Sequence, residues 1–126
     1  GVAEHFHLVG EVPFQQMADY YAAADVVAIP SLMEGGNKTL SEGTLFGTPF
    51  VATETAGTIG FFNESHGISI TVRNPERLAA ALIEILGDET NWQKRHEACL
   101  AERDRFRSFG VANAMIEMYQ RCIVQS

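Results

Sequence analysis

Apolar residues fall along this chain in two rhythms, short unbroken runs and helical three- and four-residue spacings, and the two take turns. Residues 6–9 are a brief apolar run closed by Gly10, which predicts a strand. Pro13 suits a first helical position, and Phe14, Met17, Tyr21 and Ala24 then recur at helical spacing. Residues 26–29 are continuously apolar and stop at Pro30, as a strand covered on both faces of a parallel sheet does. A polar, glycine-containing loop over 31–37 leads to a helix predicted from about Lys38 or Thr39 to Phe46 and ended by Gly47. Residues 49–53 read as a second buried strand. A glycine-rich turn and a short helix around 59–62 lead to a third strand over 68–72. Asn74 as cap and Pro75 as first residue open a helix with Leu78, Leu82, Ile85 and Leu86 on its apolar face, until Gly87. Two further helices are predicted over about 91–107 and 108–124, the last capped by Ser108.

Strands alternating with helices imply right-handed βαβ units and an α/β fold, a Rossmann-like parallel sheet with flanking helices. With 126 residues, 46 % of them apolar and 20 % charged, the chain is one globular domain or a piece of one. A formal net charge of −7 argues against nucleic acid, which needs clustered Lys and Arg. Arg95, Glu97, Glu102, Arg103 and Asp104 mix signs along one predicted helix, which reads as a solvated face. No apolar run approaches the roughly 20 residues of a membrane span, and no secretory signal opens the chain. Cys99 and Cys122 are too few and too far apart for a metal knuckle or redox pair, so buried reduced thiols and a cytoplasmic setting are expected. His5, His7, His66 and His96 share no ligand spacing and read as ordinary surface or half-buried histidines, with no metal site. Trp92 and Phe106 read as the apolar face of a docking helix, and Phe61 and Phe62 as core or a covered interface.

The stretch that carries chemistry runs Pro30-Ser31-Leu32-Met33-Glu34-Gly35-Gly36-Asn37-Lys38-Thr39-Leu40-Ser41-Glu42-Gly43. It leaves the carboxyl end of a buried strand and enters a helix, the edge at which open α/β sheets bind ligands. Free N–H groups from Gly36 to Thr39, with the helix dipole behind them, would suit a diphosphate, and Lys38 either adds a charge or points into water. Glu34 and Glu42, with seven residues between them, flank that cradle. A carboxylate accepts two hydrogen bonds from a vicinal diol, so cradle and acids together match a nucleoside diphosphate sugar. Spacing alone leaves the plainer reading open, in which Glu42 only favours the helix start and Glu34 is a solvated loop acid.

This stretch, with Tyr-Tyr-Ala-Ala-Ala-Asp25 before it and Gly47-Thr-Pro-Phe-Val-Ala-Thr53 after it, resembles glycosyltransferase family 4. The matching order continues through Gly67-Ile-Ser-Ile-Thr-Val, the Asn74-Pro-Glu helix and Ser108-Phe109, over nearly the whole chain. The resemblance implies the GT-B fold, two Rossmann-like domains facing across a cleft, of which residues 1–126 are a partial carboxy-terminal, donor-binding domain. It implies retaining transfer of a sugar from a nucleotide-sugar donor to an acceptor (sugar, lipid or protein), without metal or cofactor. Glu42 matches the glutamate that binds the nucleotide ribose. Glu34 matches the one that contacts the transferred sugar, and so fills the catalytic position. Ser31, Gly36, Asn37, Lys38 and Thr39 match the strand end and backbone that pass sugar and diphosphate, and Gly10, Glu11 and Val12 match the region near the base. Stabilising the departing diphosphate is then the main task.

Some positions depart from the family pattern. Asn37 stands where glycine or proline is frequent, Gly36 where an aromatic or aliphatic residue is common, and Gly43 where alanine is usual. The turn Ala56-Gly57-Thr58-Ile59-Gly60 lacks the acid that often follows this glycine. Two upstream strands, a paired Arg and Lys, and the amino-terminal acceptor domain have no counterpart here, so the fragment alone is expected to be inactive. Met115, Met118, Tyr119 and Ile123, left without the partner domain, would favour self-association, and the missing domain could bring the protein to a membrane periphery. A sugar-nucleotide epimerase on the same scaffold, or a non-catalytic nucleotide-sugar or interaction module, are the competing readings.

Overall fold

A computed structural model describes residues 1–36, 38–55, 57–59 and 63–107 of the chain. Among the described residues three parallel strands form the sheet, in the order β1 (Val27–Ile29), β2 (Phe50–Thr53), β3 (Gly67–Ile70). The register pairs Val27 with Phe50 and Thr53 with Ile70. Among the described residues four α-helices accompany it: α1 (Met17–Ala23), α2 (Lys38–Leu45), α3 (Pro75–Leu86) and α4 (Glu89–Phe106).

Alternation along β2 divides the core in two, because successive side chains of a strand point to opposite faces. Phe50 and Ala52 join Ile29 and Leu40 under α2, while Val51 joins Ile68, Ile70, Ala81 and Ile85 under α3. Both faces are therefore covered at β2, whose four residues are all buried. Burying side chains of this size contributes roughly 1.5–3 kcal/mol each relative to exposure. The α/β, Rossmann-like architecture expected from the alternation is the one found.

Helix boundaries follow local chemistry. Asn74 Oδ1 accepts from the Arg77 N–H, with Pro75 as first residue of α3. Gly47, at φ +77°, closes α2 in a Schellman turn: its N–H reaches the Thr44 carbonyl, and the Thr48 N–H reaches that of Gly43. Helix α4 starts two residues before the position expected from periodicity, because Asp88 caps the N–H groups of Thr90 and Asn91. On its buried side Trp92 donates to the Asp25 carbonyl at 2.7 Å and stacks on His96. The Cys99 thiol is buried as expected, and that burial, with Glu102 nearby, pushes it up to about 12.

Four expectations need correction. Residues 6–9 are not a strand: Phe6, Leu8 and Val9 are exposed, and no described strand pairs with them. A strand exists only through its ladder partners, so an apolar run without one stays extended chain. Strand β1 is not covered on both faces. Ala28 is exposed because α3 lies on β2 and β3 and stops short of it. The third strand runs from Gly67 to Ile70 rather than to Val72, ending where its pairing with Thr53 ends. Leu86 is half exposed, and Ala81 takes its place on the buried face of α3. The last predicted helix, the short helix around 59–62, Phe61, Phe62 and Cys122 lie outside the described residues. Among the described residues no helix is long and apolar enough to cross a membrane.

Candidate functional site

The loop after β1 leaves the sheet at Pro30 and returns as α2 at Lys38. Thr53, the last residue of β2, ties its start to the sheet by donating its hydroxyl toward the carbonyls of Ile29 and Ser31. Ser31 in turn donates its hydroxyl to Glu34 Oε1 at 2.7 Å. Glu34 is thus half-buried and oriented by a residue three positions earlier, while Leu32, Met33, Gly35 and Gly36 around it are exposed.

A second support comes from the turn that follows β2. A Cβ on Gly57 would stand 2.5 Å from the Glu34 carbonyl oxygen and 2.7 Å from the Gly36 nitrogen, so only glycine lets the two segments meet this closely. The Thr58 hydroxyl pins that turn by bonding the Thr53 and Thr55 carbonyls and accepting the Thr55 N–H. The sequence marked Gly57 for a missing acidic neighbour. Its close approach to the Glu34 loop becomes visible only in three dimensions.

Glu42 lies on α2 and is half-buried. Its Oε2 accepts the hydroxyl of Tyr21, from α1, at 2.8 Å. Tyr21 is buried, its ring stacks against Phe46 at 6.0 Å, and its carbonyl accepts the Thr48 hydroxyl at 2.8 Å. Burial first, and the bond to Glu42 second, push the phenol up to about 12, although the Thr39 hydroxyl beside it pulls the other way. Tyr21 therefore keeps its proton and acts as a standing donor. The other carboxylate oxygen of Glu42, Oε1, has no hydrogen bond among the described residues.

The remaining expected site residues divide between exposed backbone and helix start. Gly36 is exposed, with nothing within 4 Å of where a side chain would begin, although its nitrogen lies close to Gly57. Lys38 opens α2, exposed, with its carbonyl accepting the Ser41 hydroxyl, and Thr39 is half-buried next to Tyr21. Asn37 lies outside the described residues. Gly10, Glu11 and Val12 form no regular element, and only Val12 is part-covered. Sequence reasoning treated Tyr21 as one apolar position of a helical stripe. The only available signal was the polar tip of the ring, since a buried tyrosine hydroxyl usually finds a partner.

Of the histidines, His96 is half-buried with Nδ1 at 2.7 Å from the Gly47 carbonyl, as an ordinary structural role requires. His66 differs from its reading as a surface or half-buried residue. It is fully buried just before β3, with Nε2 3.8 Å from Glu102, and Nδ1 has no hydrogen bond partner among the described residues. Burial holds its pKa below the usual histidine range, although Glu102 opposes this.

Three parallel strands with flanking helices, and a strand-end loop that runs from a braced Glu34 into a helix carrying a braced Glu42, have the Rossmann-like architecture of a GT-B glycosyltransferase domain. The chain belongs to the family described as glycosyl transferases group 1, which residues 1–88 match. It is 27 % identical over 124 residues to the D-inositol 3-phosphate glycosyltransferase of Segniliparus rotundus, covering 98 % of this chain and 28 % of that protein. The enzyme of the same description from Xylanimonas cellulosilytica is 30 % identical over 121 residues, covering 94 % of this chain and 29 % of that protein. Among solved structures, sucrose-phosphate synthase from Thermosynechococcus elongatus superposes with a TM-score of 0.74 at 26 % identity, over 99 % of this chain and 32 % of that one. The chain thus spans less than a third of the length of these relatives.

Proposed function

We propose that this chain supplies the donor side of a retaining, nucleotide-sugar-dependent glycosyltransferase. The observation that carries the reading is Glu42, whose Oε2 is held by Tyr21 while Oε1 is left for an incoming donor. In this reading Oε1 and the remaining lone pairs of the carboxylate accept the two hydroxyls of the nucleotide ribose. Glu34, held by Ser31, takes hydroxyls of the transferred sugar. Backbone N–H groups at the start of α2, with the helix dipole and Lys38, stabilise the diphosphate as it departs. As the bond from the anomeric carbon to the diphosphate breaks, the departing nucleoside diphosphate accepts the proton of the acceptor hydroxyl, and the acceptor oxygen bonds to the anomeric carbon on the face that the diphosphate left. No protein nucleophile is needed.

The relatives carry more than two thirds of their length outside the matched region, and the acceptor groups belong to that remainder in this proposal. Their shared description, D-inositol 3-phosphate glycosyltransferase, makes a phosphorylated polyol a rational first acceptor to assay. The residues described here act on the donor, and the isolated chain is expected to show no turnover.

The test uses the full-length protein that contains this chain and calorimetric titration with nucleoside diphosphates. Glu42→Ala should weaken the tightest of them by about 1–3 kcal/mol, through lost charge-assisted hydrogen bonds. Equal affinities for wild type and variant would sink the ribose assignment. Glu34→Ala should instead lower turnover more than nucleotide affinity. NMR of the first product formed checks retention, and an inverted anomeric centre overturns that part of the proposal.

A further inference from the structure

The geometry points to Tyr21 as a positioning residue for ribose recognition, holding the Glu42 carboxylate in the rotation at which its free oxygen meets the diol. This inference rests on Glu42 being the ribose acceptor. A glutamate on an exposed helix surface turns freely about its last side-chain bonds, and fixing it costs conformational entropy when a ligand arrives. Here that cost is met on folding. The Tyr21 hydroxyl approaches Oε2 at 2.8 Å from a helix 21 residues away in sequence.

Tyr21 is itself held at three points. Its ring lies 6.0 Å from that of Phe46 with an interplanar angle of 11°, its carbonyl takes the Thr48 hydroxyl, and 6 % of its surface is exposed. Packing alone would be served as well by phenylalanine, which fills the same stripe of α1 without a hydroxyl to satisfy. Placing a phenol there obliges the fold to supply an acceptor, and the acceptor supplied is the one carboxylate of α2. A purely structural account makes Glu42 a partner for Tyr21. The positioning account makes Tyr21 a partner for Glu42. The two differ in what happens to the ligand's ribose.

The discriminating experiment measures, by calorimetry on the full-length protein, the affinity for UDP, GDP and ADP and for the 2′,3′-dideoxy analogue of whichever binds best. Wild type should prefer the ribose form by roughly 10-fold or more, as expected of hydrogen bonds to a charged acceptor. Tyr21→Phe should weaken the ribose form by about 3–10-fold and leave the dideoxy form unchanged, since one such bond is removed from the acceptor and none from the diphosphate cradle. Parallel losses for both forms, or an unchanged preference, overturn the inference. Glu42→Ala provides the second arm. In that background Tyr21→Phe should have no further effect on the ribose preference, and an independent effect there also overturns the inference, even if each variant is somewhat less stable. A wild type that does not distinguish the two forms removes the ribose reading of Glu42 and the positioning role together. A wild type that distinguishes them while Tyr21→Phe does so equally well removes only the latter.

Discussion

Glu34 and Glu42 are held in place by different means. Glu42 sits on a helix and is fixed through the buried Tyr21, itself held by the Phe46 ring and the buried Thr48. Glu34 sits on a loop and is fixed by its near neighbour Ser31 and by the bare backbone of Gly57. Under the proposed function, the first arrangement would give a rigid reference point for a group of the donor that does not change during reaction. The second leaves exposed residues on both sides and would suit the part of the donor that must move as its bond breaks.

The largest way to break this contrast is Gly57→Ala. The new methyl displaces the Glu34–Gly36 backbone, and turnover of the full-length protein should fall roughly 100-fold, the usual consequence of about 1 Å of misplacement. Nucleoside diphosphate affinity should fall much less than turnover, because Glu42 is untouched and only Gly36, at the edge of the diphosphate backbone, is displaced. An equal fall in both would mean that the two supports are not separate.

On the other side, Thr48→Val removes the hydroxyl that holds the Tyr21 carbonyl and should lower stability by about 1 kcal/mol, read from chemical denaturation. Nucleotide binding should weaken with it while the turnover of saturated enzyme is spared. Ser31→Ala sharpens the comparison from the loop: turnover should drop by about 2–10-fold, equivalent to one net hydrogen bond, with affinity unchanged. Gly43→Ala should be silent in function and raise stability by about 0.5–1 kcal/mol. A methyl there meets Val27 at 3.5 Å and the Thr48 carbonyl at 3.6 Å, ordinary contacts, and the helix loses a glycine.

A pH series supplies the smallest effect near neutrality. His66 is held below its ordinary pKa of 6.5, so the unfolded chain takes up its proton first as pH falls. Its contribution is complete above about 6.5 and is lost as pH drops through the lowered folded value. Thermal melts should show this acid slope in wild type and a shallower one in His66→Asn. Tyr21 gives the opposite limb. With its phenol raised to about 12, stability is complete below the ordinary value of 10.0 and is lost as pH rises through 12.

Much of the fold was legible because its signals are local. The run Pro49-Phe50-Val51-Ala52-Thr53 names β2, Asn74-Pro75 names the start of α3, and Gly47 names the end of α2. The placement of Glu34 on a strand-end loop and of Glu42 on the following helix was legible too, since that loop and helix are continuous in sequence. What holds them was not. Tyr21 and Glu42 belong to different elements, and nothing in either segment reports the other. Gly57 meets Glu34 across a gap of the same kind. The misread strand over residues 6–9 fails for the related reason that composition reports a propensity, whereas a strand is defined by its neighbour.

Arg95 has a consequence of another kind. Its guanidinium takes the carbonyls of Glu64 at 2.8 Å and of Gly67 at 2.9 Å, at the beginning of β3 and on the outer margin of the three-strand order. An open sheet margin invites a strand from another molecule, and the first step of many aggregates is that addition. By filling the first carbonyl of the row with a charged side chain from α4, the fold closes that one point of the margin to such an addition.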